Sequence, residues 1–118
     1  MFQYVDIERQ WAVAQESCAG NGGRLLQVDT DEKWNYWKSI EHPFTDAITY
    51  WIGLNDIESE GNFVWTDGTL TPSKTVDMFT NKFHDFMNLE DCCEIANFKW
   101  NDNVCAKFFS SVCEYGWA

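Results

Sequence analysis

The chain has 118 residues, with 19 Asp and Glu against 8 Lys and Arg and a formal charge of −11. Domains usually run on the order of 100–150 residues, so this length predicts one folded unit, residues 1–118, and excludes a second. The charge excludes a nucleic-acid partner, which needs clustered Lys and Arg to neutralise phosphates, and it excludes a polybasic membrane contact. Hydrophobic residues make up 45% and aromatic ones 17%, enough for a packed core and too many for a disordered acidic tail. The surplus carboxylates suit bound divalent cations, a cationic partner or plain solubility.

Met1 to Asp6 has neither the basic region nor the apolar segment of a signal peptide. No run approaches the roughly 20 apolar residues that cross a bilayer, so no membrane insertion is expected. Ile7, Trp11, Ala14 and Cys18 recur at steps of four, three and four and predict a first helix, capped by Asp6 and ended by Gly20, Gly22 and Gly23. A second helix begins near Asp29 or Thr30, where Asp29 and Glu32 have capping-box spacing. It carries Trp34, Trp37 and Ile40 inward and stops before Pro43. Tyr50 to Leu54 reads as a buried strand, and Phe63-Val64-Trp65 as a second, bounded by Gly61 and the Asp67-Gly68 turn. Residues 66–90 lack periodicity and form a long loop, which in a compact domain is usually functional. Glu94-Ile95-Ala96 and Ser111 to Glu114 are closing strands. Trp11, Trp34, Trp51, Trp65 and Trp100 are read as core, and Asn101-Asp102, ahead of a closing strand, also has a reading as turn chemistry.

Cys18 and Cys113 lie near the two ends, while Cys92, Cys93 and Cys105 crowd the last quarter, and no C-x-x-C occurs. Two disulfides with one odd thiol is the reading this supports, and it predicts an oxidising, extracellular location.

Several pieces coincide in order and spacing: Trp51-Ile52-Gly53-Leu54, Glu60-Gly61-Asn62-Phe63-Val64-Trp65, Asp67-Gly68, Glu90-Asp91-Cys92, Trp100-Asn101-Asp102, Cys105 and Cys113-Glu114. From about Tyr4 to Glu114 the chain resembles the C-type lectin domain. The resemblance implies an α+β double-loop fold with two helices, two small antiparallel sheets, adjacent termini and a long loop bearing the metal and ligand sites. It implies the bridges Cys18–Cys113 and Cys92–Cys105. Neighbouring residues of a strand point to opposite faces, so Cys92 and Cys93 cannot both reach Cys105. Cys93 is then either a small buried residue or the source of an intermolecular bond that would make a homodimer.

The resemblance also implies calcium, which takes six to eight oxygen ligands. An auxiliary position falls on Asp56, Glu60, Asp85, Glu90 and Asp91, all carboxylates here. The principal position, through which family members hold sugar hydroxyls, is matched by Glu90, Asn101 and Asp102. Its remaining ligands come in the family from a Glu-Pro-Asn or Gln-Pro-Asp triplet with a cis proline. That triplet falls on Lys82-Phe83-His84 or Phe83-His84-Asp85, and no Pro follows Pro72. The loop geometry must therefore differ, with Asp85 and Asn88 as substitute donors. His84 beside Asp85, Glu90 and Asp102 is either a mixed site suited to zinc or a surface polar group.

Phe79, Phe83, Phe86 and Met87 either form an exposed apolar patch or plug the loop onto the domain. Glu90 and Asp91 are better explained as ligands than as an acid–base pair. His42 and His84 complete no nucleophile–His–acid arrangement, so no enzymatic activity is expected. The resemblance implies a secreted calcium-binding module for glycans or cell-surface glycoproteins, of the kind used in innate immunity. The rival is the same fold binding a protein, with calcium structural or absent. Ice binding, also known in the family, has no particular sign here. A monomer and a homodimer are both compatible with the sequence.

Overall fold

The computed structural model describes residues 2–39, 49–58, 63–69, 92–96 and 99–116. Chain order is β1 (Phe2–Arg9), α1 (Trp11–Gly20), β2 (Arg24–Leu25), α2 (Asp31–Ser39), β3 (Thr49–Asn55), β4 (Cys92–Ala96), β5 (Lys99–Asn103) and β6 (Phe109–Glu114). The architecture is α+β. One antiparallel group joins β6 to β1 and β2, a second joins β4 to β3 and β5, and a parallel contact of Tyr50 with Ser110 and Trp51 with Ser111 fuses them into a six-stranded sheet. The first and last strands are neighbours, with Phe2 opposite Glu114.

The expected first helix is corrected at its start. Residues 2–9 form a strand, Ile7 is 54% exposed, and Asp6 caps nothing helical. Ladder pairing of β1 with β6 overrides the local helical spacing, with an irregularity between Val5 and Arg9. The apolar stripe begins at Trp11 and buries Trp11, Ala14 and Cys18. Gly22, at φ 84°, takes the left-handed conformation that ends the helix. In α2 the cap is Thr30, whose hydroxyl accepts from the Lys33 amide at 3.1 Å. The Asp29 carboxylate serves elsewhere, accepting from Gln27 Nε2 at 3.1 Å and facing Lys33 Nζ at 3.5 Å.

Alternation along the strands divides the core between the two faces. On one face Tyr50, Ile52, Leu54, Cys93, Ile95, Trp100 and Val112 pack with Trp34 and Trp37 of α2 and with Phe63 and Trp65. On the other, Trp51, Cys92, Cys113 and Leu25 pack with Trp11, Ala14 and Cys18 of α1. The unbroken run in β3 is apolar because both its faces are covered. Gly53 sits in a tight gap, since a Cβ there would lie 3.3 Å from the Leu25 carbonyl oxygen and 3.4 Å from that of Leu26, and the neighbours would have to give by a few tenths of an ångström. Trp100 stands edge-on to both Trp34 and Trp65, at 5.6 Å between ring centres in each case. Trp11 and Trp51 donate their indole N–H groups to Ile52 and Arg9 carbonyls, each at 2.8 Å.

Two further expectations change. Phe63-Val64-Trp65 makes a single bridge, Val64 with Asn55, and not a strand. Trp100-Asn101-Asp102, whose Asn-Asp suggested turn chemistry, lies within β5. Ile40, Pro43 and the loop aromatics Phe79, Phe83, Phe86 and Met87 lie outside the described residues.

The ends are fastened twice. Disulfides join Cys18 to Cys113, across a separation of 95 residues, and Cys92 to Cys105. Glu114 accepts from the Gln27 amide and faces Arg24 Nη2 at 3.5 Å and Lys33 Nζ at 3.7 Å. Arg24 Nη1 also meets Asp67 at 3.1 Å, and Gln27 Nε2 donates to Asp67 at 3.0 Å. Burial alone would raise the Asp67 carboxyl, but hydrogen bonds from Thr69 and Gln27 and the Arg24 charge bring it down to about 2.

Candidate functional site

One end of the β3–β4–β5 group gathers the chemistry. Asn55 ends β3, Cys92 begins β4 and Asn103 ends β5, and the three stand in one cross-strand row. Asp56 follows directly from β3 and Asp102 immediately precedes Asn103. Both are buried to 1% exposure. The turn that carries Asp56 is shaped by Asn55, whose Oδ1 accepts from the Ile57 amide at 3.3 Å, and by paired backbone hydrogen bonds between Asn55 and Val64.

Of the sequence-derived metal and ligand residues, Asp56, Asn101 and Asp102 are described. Glu60, His84, Asp85, Asn88, Glu90 and Asp91 lie outside the described residues. Strand pairing sets Cys93 opposite Asp102 and Glu94 opposite Asn101. Adjacent side chains of a strand face opposite ways. Asp102 therefore shares a face with Cys93, while Asn101 turns to Glu94 and donates from Nδ2 to Oε1 at 2.8 Å. Asp56 and Asp102 both lie near enough to Cys93 to act on its charge, and Asn101 is set on a second partner. Among the described residues no three His, Cys, Asp or Glu side chains form a group able to hold an ion by themselves.

Cys93 is a free thiol, fully buried, and in this conformation no second chain can reach it. Burial pushes its pKa up, and the nearby charges of Asp102, Asp56 and Glu94 push the same way. Its neighbour Cys92 projects into the other core and holds the Cys105 bridge.

Glu94 is the residue that sequence reasoning passed over. It is 3% exposed in a strand that otherwise reads Cys-Cys-Ile-Ala. Burial raises its pKa, opposed by hydrogen bonds from Asn101 and Asn103 and by the Lys107 charge, while Asp102 adds to the rise. A charged residue inside an apolar strand was the available signal. The described donors are hard oxygens of carboxylate and amide type, a set that fits calcium. The one sulfur among them, Cys93, is kept protonated and is a poor ligand.

Among the described residues, no helix is long and apolar enough to cross a membrane. The profile of the lectin C-type domain matches residues 7–115. The α-N-acetylgalactosamine-specific lectin of Patiria pectinifera is 35% identical over 101 residues, which cover 78% of this chain and 57% of that lectin. C-type mannose receptor 2 of Mus musculus is 32% identical over 111 residues, 91% of this chain but 7% of the receptor. The chain thus spans little more than half of the first relative and a small part of the second. The structure of a calcium-independent type II antifreeze protein superposes with a TM-score of 0.75 at 26% identity, covering 95% of this chain and 82% of that one. With the profile spanning nearly the whole sequence, and with two helices packed on a disulfide-fastened sheet, the chain belongs to the C-type lectin domain family.

Proposed function

We propose that this domain is a calcium-binding carbohydrate-recognition module that works outside the cell. The observation that carries the reading is the pair Asp56 and Asp102, both buried to 1% exposure at the same end of the sheet. Burying carboxylate charge is unfavourable unless hydrogen bonds, a cationic group or a metal offsets it. Asp56, Glu60, Asp85, Glu90 and Asp91 would hold an auxiliary ion, and Glu90, Asn101 and Asp102, with Asp85 or Asn88, a principal one. A calcium ion so held supplies coordination to two neighbouring sugar hydroxyls. The carboxylates and the Asn101 amide hydrogen-bond the same hydroxyls and orient the ring, and His84 lies in the same stretch of sequence. The relative specific for α-N-acetylgalactosamine supports a glycan or cell-surface glycoprotein as the partner. The disulfides support an extracellular setting.

A glycan-binding screen run in millimolar calcium and again in chelator tests this. Calcium-dependent retention is expected, together with a melting temperature that rises with calcium. Saturation at about 100 times Kd adds about 2.7 kcal/mol to the folded state. No retention and an unchanged midpoint on chelation would sink both the metal and the sugar. Metal analysis of the purified protein separates calcium from zinc.

The second reading is a domain of the same fold that binds a protein or another non-sugar ligand without needing calcium. It is favoured by the missing proline triplet, since no Pro follows Pro72, and by the likeness to a calcium-independent antifreeze protein. Protein capture that persists in chelator would select it.

A further inference from the structure

We propose that Glu94 is a positioning residue for the metal site, fixing the side-chain amide of Asn101 so that its carbonyl oxygen is the atom presented to calcium. The inference rests on the calcium reading above and deepens it. Glu94 and Asn101 form a cross-strand pair, one on β4 and the other on β5. Their contact is Nδ2 to Oε1 at 2.8 Å, and Glu94 is 3% exposed.

The Asn101 Nδ2 group donates to Glu94 Oε1, so the NH2 end of the amide faces the carboxyl group. The Oδ1 atom sits across the amide carbon and therefore points away from Glu94. Asn101 is half-buried, at the end of the sheet where Asp56 and Asp102 also lie. An unheld amide would present nitrogen as readily as oxygen and would rotate about two side-chain torsions. Calcium accepts only the oxygen. Glu94 is itself held in place, since Asn103 also hydrogen-bonds to it and Lys107 contributes a favourable charge.

The test is a calcium titration by calorimetry on the whole chain, with the melting temperature in chelator measured for each variant. Glu94→Gln keeps an acceptor for Asn101 and is expected to bind calcium within about twofold of the parent. Glu94→Met removes the acceptor and is expected to weaken binding about three- to tenfold, the loss for freeing one side chain that must be ordered on binding. Adding Asn101→Asp to Glu94→Met is expected to restore affinity, because a carboxylate presents oxygen in either orientation. Because an added carboxylate strengthens calcium binding by its charge alone, Asn101→Asp in the parent background is the control, and a purely structural role for Glu94 would give the same gain in both backgrounds.

Unchanged or tighter binding in Glu94→Met overturns the proposal, and tighter binding would mean that Glu94 holds Asn101 away from the ion. Equal losses in Glu94→Gln and Glu94→Met overturn it too, since charge and not orientation would then matter. If the parent chain binds no calcium, the functional reading falls and this inference with it. Calcium binding in the parent with no effect at Glu94 removes the inference alone. Should Glu94→Met fail to fold, the side-chain NH2 resonances of Asn101 in the parent protein decide the matter. Slow exchange with solvent, with and without calcium, supports the held amide, and fast exchange overturns it.

Discussion

The thiol of Cys93 is enclosed by the core, and burial and three neighbouring carboxylates all disfavour its ionisation. Because the thiolate is the reactive form, a thiol reagent is expected to leave the native protein unlabelled and to modify one cysteine once the chain is unfolded without reductant. Rapid native labelling would contradict the packing. Cys93→Ala is expected to destabilise the fold by about 1 kcal/mol in a denaturant titration, as for a small buried deletion. The opposite orientation of Cys92 and Cys93 was legible in the sequence, because it follows from the pleat of any strand. Glu94 was legible only as a charge inside an apolar strand, without its role. Its partner Asn101 is set by the register of β4 against β5, and register is a property of two strands that neither shows alone.

The junction of β2, α2 and β6 depends on one side chain, Glu114, which meets Arg24, Lys33 and the Gln27 amide. Glu114→Ala leaves the buried Gln27 N–H without its acceptor, removes one of the two carboxylates that Arg24 and Lys33 each face, and is expected to cost about 2 kcal/mol. A urea titration measures it, and a loss under about 1 kcal/mol would show that Arg24 is satisfied by Asp67 alone. The elements themselves were legible wherever burial follows local period. Trp11, Ala14 and Cys18 mark α1, and Tyr50 to Leu54 mark β3. Local period failed at Ile7, because β1 exists only through pairing with β6, 100 or more residues later in a chain of 118. It failed again at Asn101-Asp102, where residues typical of turns continue a strand because β4 lies alongside. Most of the candidate site falls between Glu60 and Asp91, where the family resemblance supplied ligand positions that periodicity could not.

Across the whole molecule the charge of −11 acts as self-repulsion, with part of it concentrated in buried carboxylates at one end of the sheet. Between about 0.01 M and 1 M salt the screening length falls from about 30 Å to 3 Å. In chelator, the melting midpoint is therefore expected to rise by several degrees across that range of sodium chloride. A flat response would mean that the carboxylates are already neutralised by their surroundings. The adjacency of Phe2 and Glu114 has a mechanical consequence as well. A pull applied at those two points loads the β1–β6 ladder from its end, so its hydrogen bonds give way one after another and not together. Peeling can run only as far as Cys18, where the bond to Cys113 carries the tension covalently. The domain would pay out at most about 55 Å of chain from its N-terminal side, and β3, β4 and β5, with Asp56 and Asp102, would stay outside the line of force.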